Sequence, residues 1–411
     1  MTRSVWQEPL APTAGSSAPL APEADVVIVG GGAIGCATAW ALHEADPTLR
    51  LVIVEAEHLA FGASGRNAGF VLLGAPGADP GSTNAAERER AGRLWRFTHE
   101  NADAIREMDG DAFGLTWTGS LIAAGDDDEA TMLQRQADVL EGTEWLPPDA
   151  LHKRLAASGA RGFRGGLWVE TGGTLDPAAY VRYLARASGA TVLDRSPMTG
   201  LAARGGGVAV QTARGEVRAE RAVVCLNAYL PRVLPAFADL VRPVRAQMLA
   251  TAPLAPILDV PVYSHDGYYY LRQRQDGRLL LGGARHLHRD AEVGYEDATT
   301  ALQGDLEAYL AAHFPAAGTP EVEQRWSGTM GFSPDGLPFV ADVPEIPGAV
   351  VASGFTGHGM GYSARFGRLL ARRTLGDQDP AADLFDVRRF DAAPEAAAPS
   401  ASGGDLRAQR A

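Results

Sequence analysis

The run ADVVIVG at residues 24–30 is apolar at every position after Asp25, which predicts a strand buried on both faces of a parallel sheet. It leads into GGAIGCATAWALHEA, where Ile34, Ala37, Thr38, Ala41 and Leu42 recur at helical spacing and predict one buried helix face. A second apolar run, LRLVIVEA, predicts another buried strand that ends on Glu55 and completes a βαβ unit of about 30 residues. Farther on, GVAVQTARGEVRAERAVVCLNAYLP predicts two short alternating strands joined near Gly215, then the apolar strand AVVCLNA, an antiparallel meander. The stretch GAVVASGFTGHGMGYSARFGRLLARRTLG predicts a short strand, a glycine-rich turn and an amphipathic helix. Between these blocks lie a helical pattern, AERERAGRLWRFTHENADAIREM, and strand patterns, GYYYLRQ and GRLLLGGA, which predict a second domain of antiparallel sheet and helices.

The fold class expected is therefore α/β with α+β elements, a Rossmann-like domain with a β-meander and an interleaved second domain with a mainly antiparallel sheet. Residues 24–75, 166–235 and 328–380 are assigned to the first domain, and 76–165 and 236–327 to the second. Residues 1–23 and 391–411, rich in Pro, Ala and Ser, are expected to be disordered tails.

Composition removes several functions. The formal charge of −13 and the lack of any basic run argue against nucleic-acid binding. No apolar run reaches the roughly 18 residues of a membrane span, and the N-terminus has no signal-peptide core, so the protein is expected to be cytoplasmic, without a transmembrane segment. Cys36 and Cys225 are distant in sequence and in apolar surroundings, which reads as two buried thiols rather than a disulfide or a CxxC site. Lys153 is the only lysine and lies in an expected exposed helical turn, so Schiff-base catalysis is discounted.

Gly30, Gly32 and Gly35 form a GxGxxG fingerprint in which the first permits a tight turn, the second lets backbone approach a pyrophosphate, and the third lets helix pack on strand. Helix N–H groups then face the phosphates, and Glu55, 20 residues after Gly35, can accept both ribose hydroxyl protons. FAD and NAD share this fingerprint. The irregular, small-residue segment HLAFGASGRNAGFVL, in the place of a further helix and strand, favours a large planar flavin, with Arg66 and Asn67 as its polar groups. The turn with Gly354, Gly357, Gly359 and Gly361 opens a helix whose N–H groups could stabilise negative charge on a reduced flavin; His358 by itself reads as structural. Tyr268 and Tyr270 share one strand face and either line a substrate cavity or pack in the core. His286 and His288 alternate similarly, but without a third ligand no metal site is expected.

The ordered blocks VVIVGGGAIGCATAWAL, VIVEA, FGASGRNAGF, GGTLDPAAYVRYLA, AVVCLNAYLP, WSGTMGFSPDGLPFV and GFTGHGMGYSARFGRLLA resemble those of the D-amino-acid oxidase superfamily across roughly residues 24–378. The GASGRNAG form is most similar to the γ-glutamylputrescine oxidase branch. The resemblance implies FAD, a substrate domain capping the isoalloxazine, and hydride transfer from the α-carbon of an amine or amino-acid derivative, giving an imine that hydrolyses. Oxygen or another acceptor would then take the electrons. It also implies a set of cofactor contacts: Gly30, Gly32, Ala33, Ile34, Gly35 and Glu55 in the βαβ unit; Ser64, Arg66, Asn67, Ala68 and Gly69 in the loop; Asn227; and Gly354, Thr356, Gly357, His358, Gly359 and Met360.

Departures from the pattern bear on substrate. The arginine that clamps carboxylate in glycine oxidases falls near Met330, and the corresponding lysine of sarcosine oxidases near Gly361, so a carboxylate would have to meet Arg66, Arg272 or Arg274 instead. The block that carries the flavin-attaching cysteine of sarcosine oxidases has none, so FAD is expected to be noncovalent. Arg272 is the nearest cation to the place of their oxygen-activating lysine, and Arg272, Tyr268 and Tyr270 are the expected catalytic residues. The competing functions are an NAD-linked dehydrogenase and a flavin-binding protein without amine turnover.

Overall fold

The computed structural model describes residues 2–7, 23–75, 77–295, 297 and 299–391. The apolar run of the first element forms strand Glu23–Val29, which pairs in parallel with Leu51–Val54 on one side and with Gly215–Val224 on the other. Thr191–Leu193 and Ala349–Ser353 extend the parallel part outward, so its order is Thr191–Leu193, Leu51–Val54, Glu23–Val29, Gly215–Val224, Ala349–Ser353. Val27, Ile28, Val29 and Ile53 are almost wholly buried, as both faces of a parallel sheet require.

The meander differs from expectation. Its second short strand and the apolar strand are one ten-residue strand, Gly215–Val224, preceded by Met198–Arg204 and Gly207–Thr212. The first half of that strand pairs antiparallel within the meander, and its end runs parallel to Ala349–Ser353. One continuous strand thus serves both pairings, and no turn is needed between them.

Helix Ala33–Ala45 is also more enclosed than one apolar face implies, since every residue from Ala33 to Leu42 is buried. Helix Gly359–Leu375 lies against it closely enough that a Cβ on Gly367 would sit 2.5 Å from the Ala37 carbonyl oxygen. Helix Ala85–Arg106, expected in the second domain, packs on this side: Phe97 contacts Phe366 and Phe385, and Asn101 bonds to Met360, Ala364 and Arg365. A helix with polar residues on its outer face carries no mark of which sheet its inner face covers.

The second sheet has eight strands in the order Val322–Phe332, Arg242–Thr251, Leu279–Gly283, Tyr269–Gln273, Val262–Ser264, Ser120–Ala123, Gly166–Val169, Thr143–Leu146. It is antiparallel except where Val262–Ser264 meets Ser120–Ala123. Gly166–Val169 and the end of Val322–Phe332 belong here, not with the first sheet as the sequence ranges had it.

The N-terminal tail also needs correction. Ser4, Trp6 and Gln7 are buried against the rest of the protein, because Trp6 carries a large apolar surface that a tail of Pro, Ala and Ser lacks. Residues 8–22 and 392–411 of the two expected tails lie outside the described residues. Among the described residues no helix is long and apolar enough to cross a membrane.

Candidate cofactor and substrate site

The tight turn after Glu23–Val29 is made at Gly30, whose φ of 112° is open to glycine and whose Cβ would stand 2.5 Å from the Cys225 carbonyl oxygen. A Cβ on Gly35 would lie 2.0 Å from the Gly30 carbonyl oxygen, so helix and strand meet there without space for a methyl group. The 13-residue helix that follows has no acidic residue in its first turn, and Gly32, Ala33 and Ile34 at its N-terminus line a cavity of about 220 Å³. Backbone N–H groups, a positive dipole end and a missing Cβ at Gly32 fit a pyrophosphate. Glu55 accepts from the Gly31 N–H at 2.7 Å and from the Glu57 N–H at 2.9 Å. Burial pushes its carboxyl above the ordinary range, and these two N–H groups pull the other way.

The loop after the second strand comes to the same cavity. Ser64 accepts from the Ala33 N–H at 2.9 Å, joining loop to helix N-terminus. Asn67 folds the loop on itself, donating to the Ala63 and Ser64 carbonyls and accepting from the Gly69 N–H. Arg66 is buried and donates to the carbonyls of Phe61, Thr2 and Ser327. From the third block, Thr356, Gly357, His358, Gly359 and Met360 close another side, and Asn227 lies nearby with its Oδ1 accepting from the Phe355 N–H. The Thr356 carbonyl accepts from His358 Nδ1 at 3.1 Å, which places the ring proton on Nδ1 and leaves Nε2 unprotonated. Burial lowers the His358 pKa, so the ring is neutral near pH 7.

Gly30, Gly35, Glu55, Gly69 and Gly354 stand behind this lining rather than in it. Each shapes the backbone that does line it: Gly69 (φ 71°) has Leu175 oxygen where a Cβ would go, and Gly354 (φ 78°) has the Ser333 side chain there.

The second sheet supplies the opposite wall, with Met248, Tyr263, Tyr268, Tyr270, Met330 and Phe332. Both expected tyrosines line the cavity. Gly282 leaves the space in which the Tyr270 ring lies, since a Cβ there would be 2.2 Å from that ring. Tyr263 stacks on Tyr270 at 6.0 Å, and burial holds its phenol protonated, with a pKa pushed up to about 12.

Arg272 requires a correction, for it does not line the cavity. Its Nη1 donates to the carbonyls of Ala68, Gly69 and Leu175, and burial lowers its pKa to about 10. A buried strand cation with no carboxylate in salt-bridge contact is held by backbone carbonyls instead. Arg274 pairs with Asp276, and Arg66 lines the cavity with its Nε and Nη1 given to the carbonyls of Phe61, Thr2 and Ser327.

A second cation of the lining, beside Arg66, is Arg285, which the sequence reading missed. Its guanidinium lies 4.8 Å from the Phe332 ring centre and 5.6 Å from that of Tyr268. The charged or titratable groups acting on it are Tyr268, Tyr270, Tyr263 and Arg289, none of them a carboxylate. Ala284, in the left-handed region at φ 56°, turns the chain just before it. The available signal was an arginine closing the wholly apolar strand LLLGG.

Met330 and Gly361, near which the family resemblance implies a cation, both line the cavity. A Cβ on Gly361 would meet the Leu72 carbonyl oxygen at 2.7 Å, so no side chain fits there. Cys225 also lines it and is half-buried, while Cys36 is fully buried; both are free. His286 lies in a 3-10 turn and His288 just after it, neither in a strand, and no group of three metal-ligating side chains occurs among the described residues.

Comparison with known proteins agrees with this geometry. Glycine oxidase of Geobacillus kaustophilus is 28% identical over 363 residues, covering 84% of this chain and 92% of that protein. Gamma-glutamylputrescine oxidoreductase of Escherichia coli is 27% identical, covering 88% and 85%. Among solved structures, L-proline dehydrogenase from P. horikoshii superposes with a TM-score of 0.76 at 20% identity, covering 91% of this chain and 99% of that one, a likeness of fold. Residues 25–373 match the DAO family, described as FAD dependent oxidoreductase, and the chain belongs to that family.

Proposed function

We propose that the protein oxidises the C–N bond of an amino-acid derivative or amine, with FAD held without a covalent link. Bound FAD would take up the hydride that leaves the substrate α-carbon, and the imine then hydrolyses in water. The observation that supports this reading best is the composition of the cavity. One side is built from the dinucleotide fingerprint, the 63–68 loop and the 356–361 turn, and the other from tyrosines, Phe332, Met330 and Arg285.

The residues of the chain have separable tasks in this reading. Tyr263, Tyr270 and Phe332 exclude water and orient an aliphatic C–H group. His358, neutral near pH 7, adds no formal charge to the cavity. Arg285 offers a guanidinium fork to a substrate carboxylate and is desolvated enough to gain from the pairing. That favours a carboxylate-bearing substrate over a plain amine, in keeping with relatives named glycine oxidase. Neither cysteine lies on the second-sheet wall, which supports noncovalent attachment.

The test is a visible spectrum before and after acid precipitation, then anaerobic addition of paired amino acids and their decarboxylated amines. Yellow colour leaving with the supernatant and bleaching by one member of the panel is the expected result. Arg285→Gln is expected to raise KM for the carboxylate-bearing member by about 10- to 100-fold, as for loss of a charge-assisted pair, with FAD content unchanged. A protein that takes up FAD yet bleaches with no member would support the binding-protein alternative instead.

A further inference from the structure

Trp6 comes from a segment far from every motif considered above, yet its indole Nε1 donates to the Asn67 carbonyl at 2.8 Å. The neighbouring carbonyl, of Arg66, accepts from Trp326 Nε1, also at 2.8 Å. The next two, of Ala68 and Gly69, accept from Arg272 Nη1 at 3.1 and 3.3 Å. Four consecutive carbonyls of the cofactor loop are therefore drawn away to donors that lie outside the cavity lining.

The consequence follows from peptide geometry. In a trans peptide the C=O and the next N–H point in opposite directions, and no cis peptide occurs among the described residues. Holding the Arg66 carbonyl on Trp326 and the Asn67 carbonyl on Trp6 turns the N–H groups of Asn67 and Ala68 the other way. Both residues line the cavity. Successive N–H groups gathered in this manner make a concavity suited to negative charge.

The rest of the arm is fastened to the same loop. Ser4 Oγ donates to the Gly65 carbonyl, and Gln7 Nε2 to those of Ala60 and Phe61 at 3.0 Å. Its other side is tied to the second sheet and its surroundings: Gln324 donates to the Arg3 carbonyl at 2.8 Å, and the Thr2 N–H to Asp297. The Trp6 ring carries the guanidiniums of Arg272 and Arg274 at 5.6 and 4.7 Å, so the donor that holds Ala68 is itself seated on Trp6.

We propose that Trp6 is a positioning residue for the cofactor: through the Asn67 carbonyl it aims the Asn67 and Ala68 N–H groups at the electron-rich edge of bound flavin. The inference rests on FAD occupying this cavity. It assigns to the segment Thr2–Gln7 a part in tuning the flavin, not only in covering it.

Trp6→Phe tests this directly, because it keeps an aromatic ring under the two arginines and removes the N–H donor. FAD is titrated into apoprotein by fluorescence, the visible bands and midpoint potential of the bound flavin are measured, and the melting temperature of the apoprotein is recorded. The expected result is a rise in the FAD Kd of about three- to tenfold, as for loss of one hydrogen bond, with shifted bands and a lower potential. Trp6→Ala is expected to go further in the same direction. Unchanged Kd, bands and potential in Trp6→Phe overturn the proposal, as does a lower apoprotein melting temperature with all three unchanged, which would leave Trp6 a packing residue. A wild-type apoprotein that takes up no FAD would sink the cofactor assignment itself, a separate outcome.

Discussion

A carboxyl closed off from water prefers its neutral form, and Glu129 is the acid in which that preference is most open to test. It is 1% exposed and accepts from the N–H groups of Gly125 and Asp266 at 2.7 and 2.8 Å. It thereby holds a turn in which His265, Asp266 and Gly267 all have left-handed backbone, at φ 54°, 54° and 81°. Asp266 and Gly267 line the cavity. Burial raises the Glu129 pKa from 4.5 to about 7, against the pull of the two N–H groups. The unfolded chain releases this proton at the lower pH, so between pH 4.5 and about 7 the folded state retains a proton that the unfolded state has lost. The contribution of the group to stability is thus full below the unfolded value and declines as pH rises through the folded one, by something on the order of 3 kcal/mol. Melting curves of the apoprotein at pH 5 and pH 8 are expected to differ more for the wild type than for Glu129→Gln; parallel losses in the two proteins would refute this. Nothing in the local sequence GDDDEA distinguishes Glu129 from its three acidic neighbours, because its burial is imposed by a turn more than 130 positions away.

At the scale of elements, one buried polar side chain ties helix Ala85–Arg106 to helix Gly359–Leu375 beside their apolar and ionic contacts. Asn101 is wholly buried; its Oδ1 accepts from the N–H groups of Ala364 and Arg365 at 2.8 and 3.2 Å, and its Nδ2 donates to the Met360 carbonyl at 3.2 Å. Met360 lines the cavity, so this bond also sets the height of the helix N-terminus against the cofactor. Asn101→Ala would strip buried groups of their partners and is expected to cost about 2–3 kcal/mol, read from denaturant unfolding at unchanged slope. A loss below about 0.5 kcal/mol, the size of an ordinary surface substitution, would show that the two helices hold each other by their other contacts, Phe97–Phe366 packing and the Arg365–Glu100 pair. The helix periodicity of residues 86–108 was legible, but its partner was not. An amphipathic stripe says that a face is covered and is silent about what covers it.

For the whole molecule, one cavity is lined by segments of both large sheets, and an arm from the N-terminus holds its loop from behind, so cofactor and fold are linked. FAD binds the native state, and at 100 times Kd it should add about 2.7 kcal/mol of stability. The expected outcome is a melting temperature that rises by a few degrees with added FAD and keeps rising logarithmically beyond saturation; a melting temperature indifferent to FAD would contradict the assignment. By itself the sequence determined whatever is written within one short segment. GxGxxG between apolar strand and helix, Glu55 after the second strand and the glycine turn before Gly359 each carry their geometry in consecutive residues, because a tight turn or a close approach needs glycine at a set place. Tyr268 and Tyr270 were similarly legible as a pair on one face. Tertiary structure alone decided which arginine of the second sheet meets the cavity. Arg272 lies within one strand of the second sheet and Arg285 just beyond the next, yet the first is absorbed by the carbonyls of Ala68, Gly69 and Leu175 while the second is left facing the ligand space. It also decided the part of Trp6, whose partner Asn67 is 61 positions away. Hydrogen bonds and ion pairs of that separation are set by which strands pair and which loops they bring together, and no local pattern of residues encodes that choice.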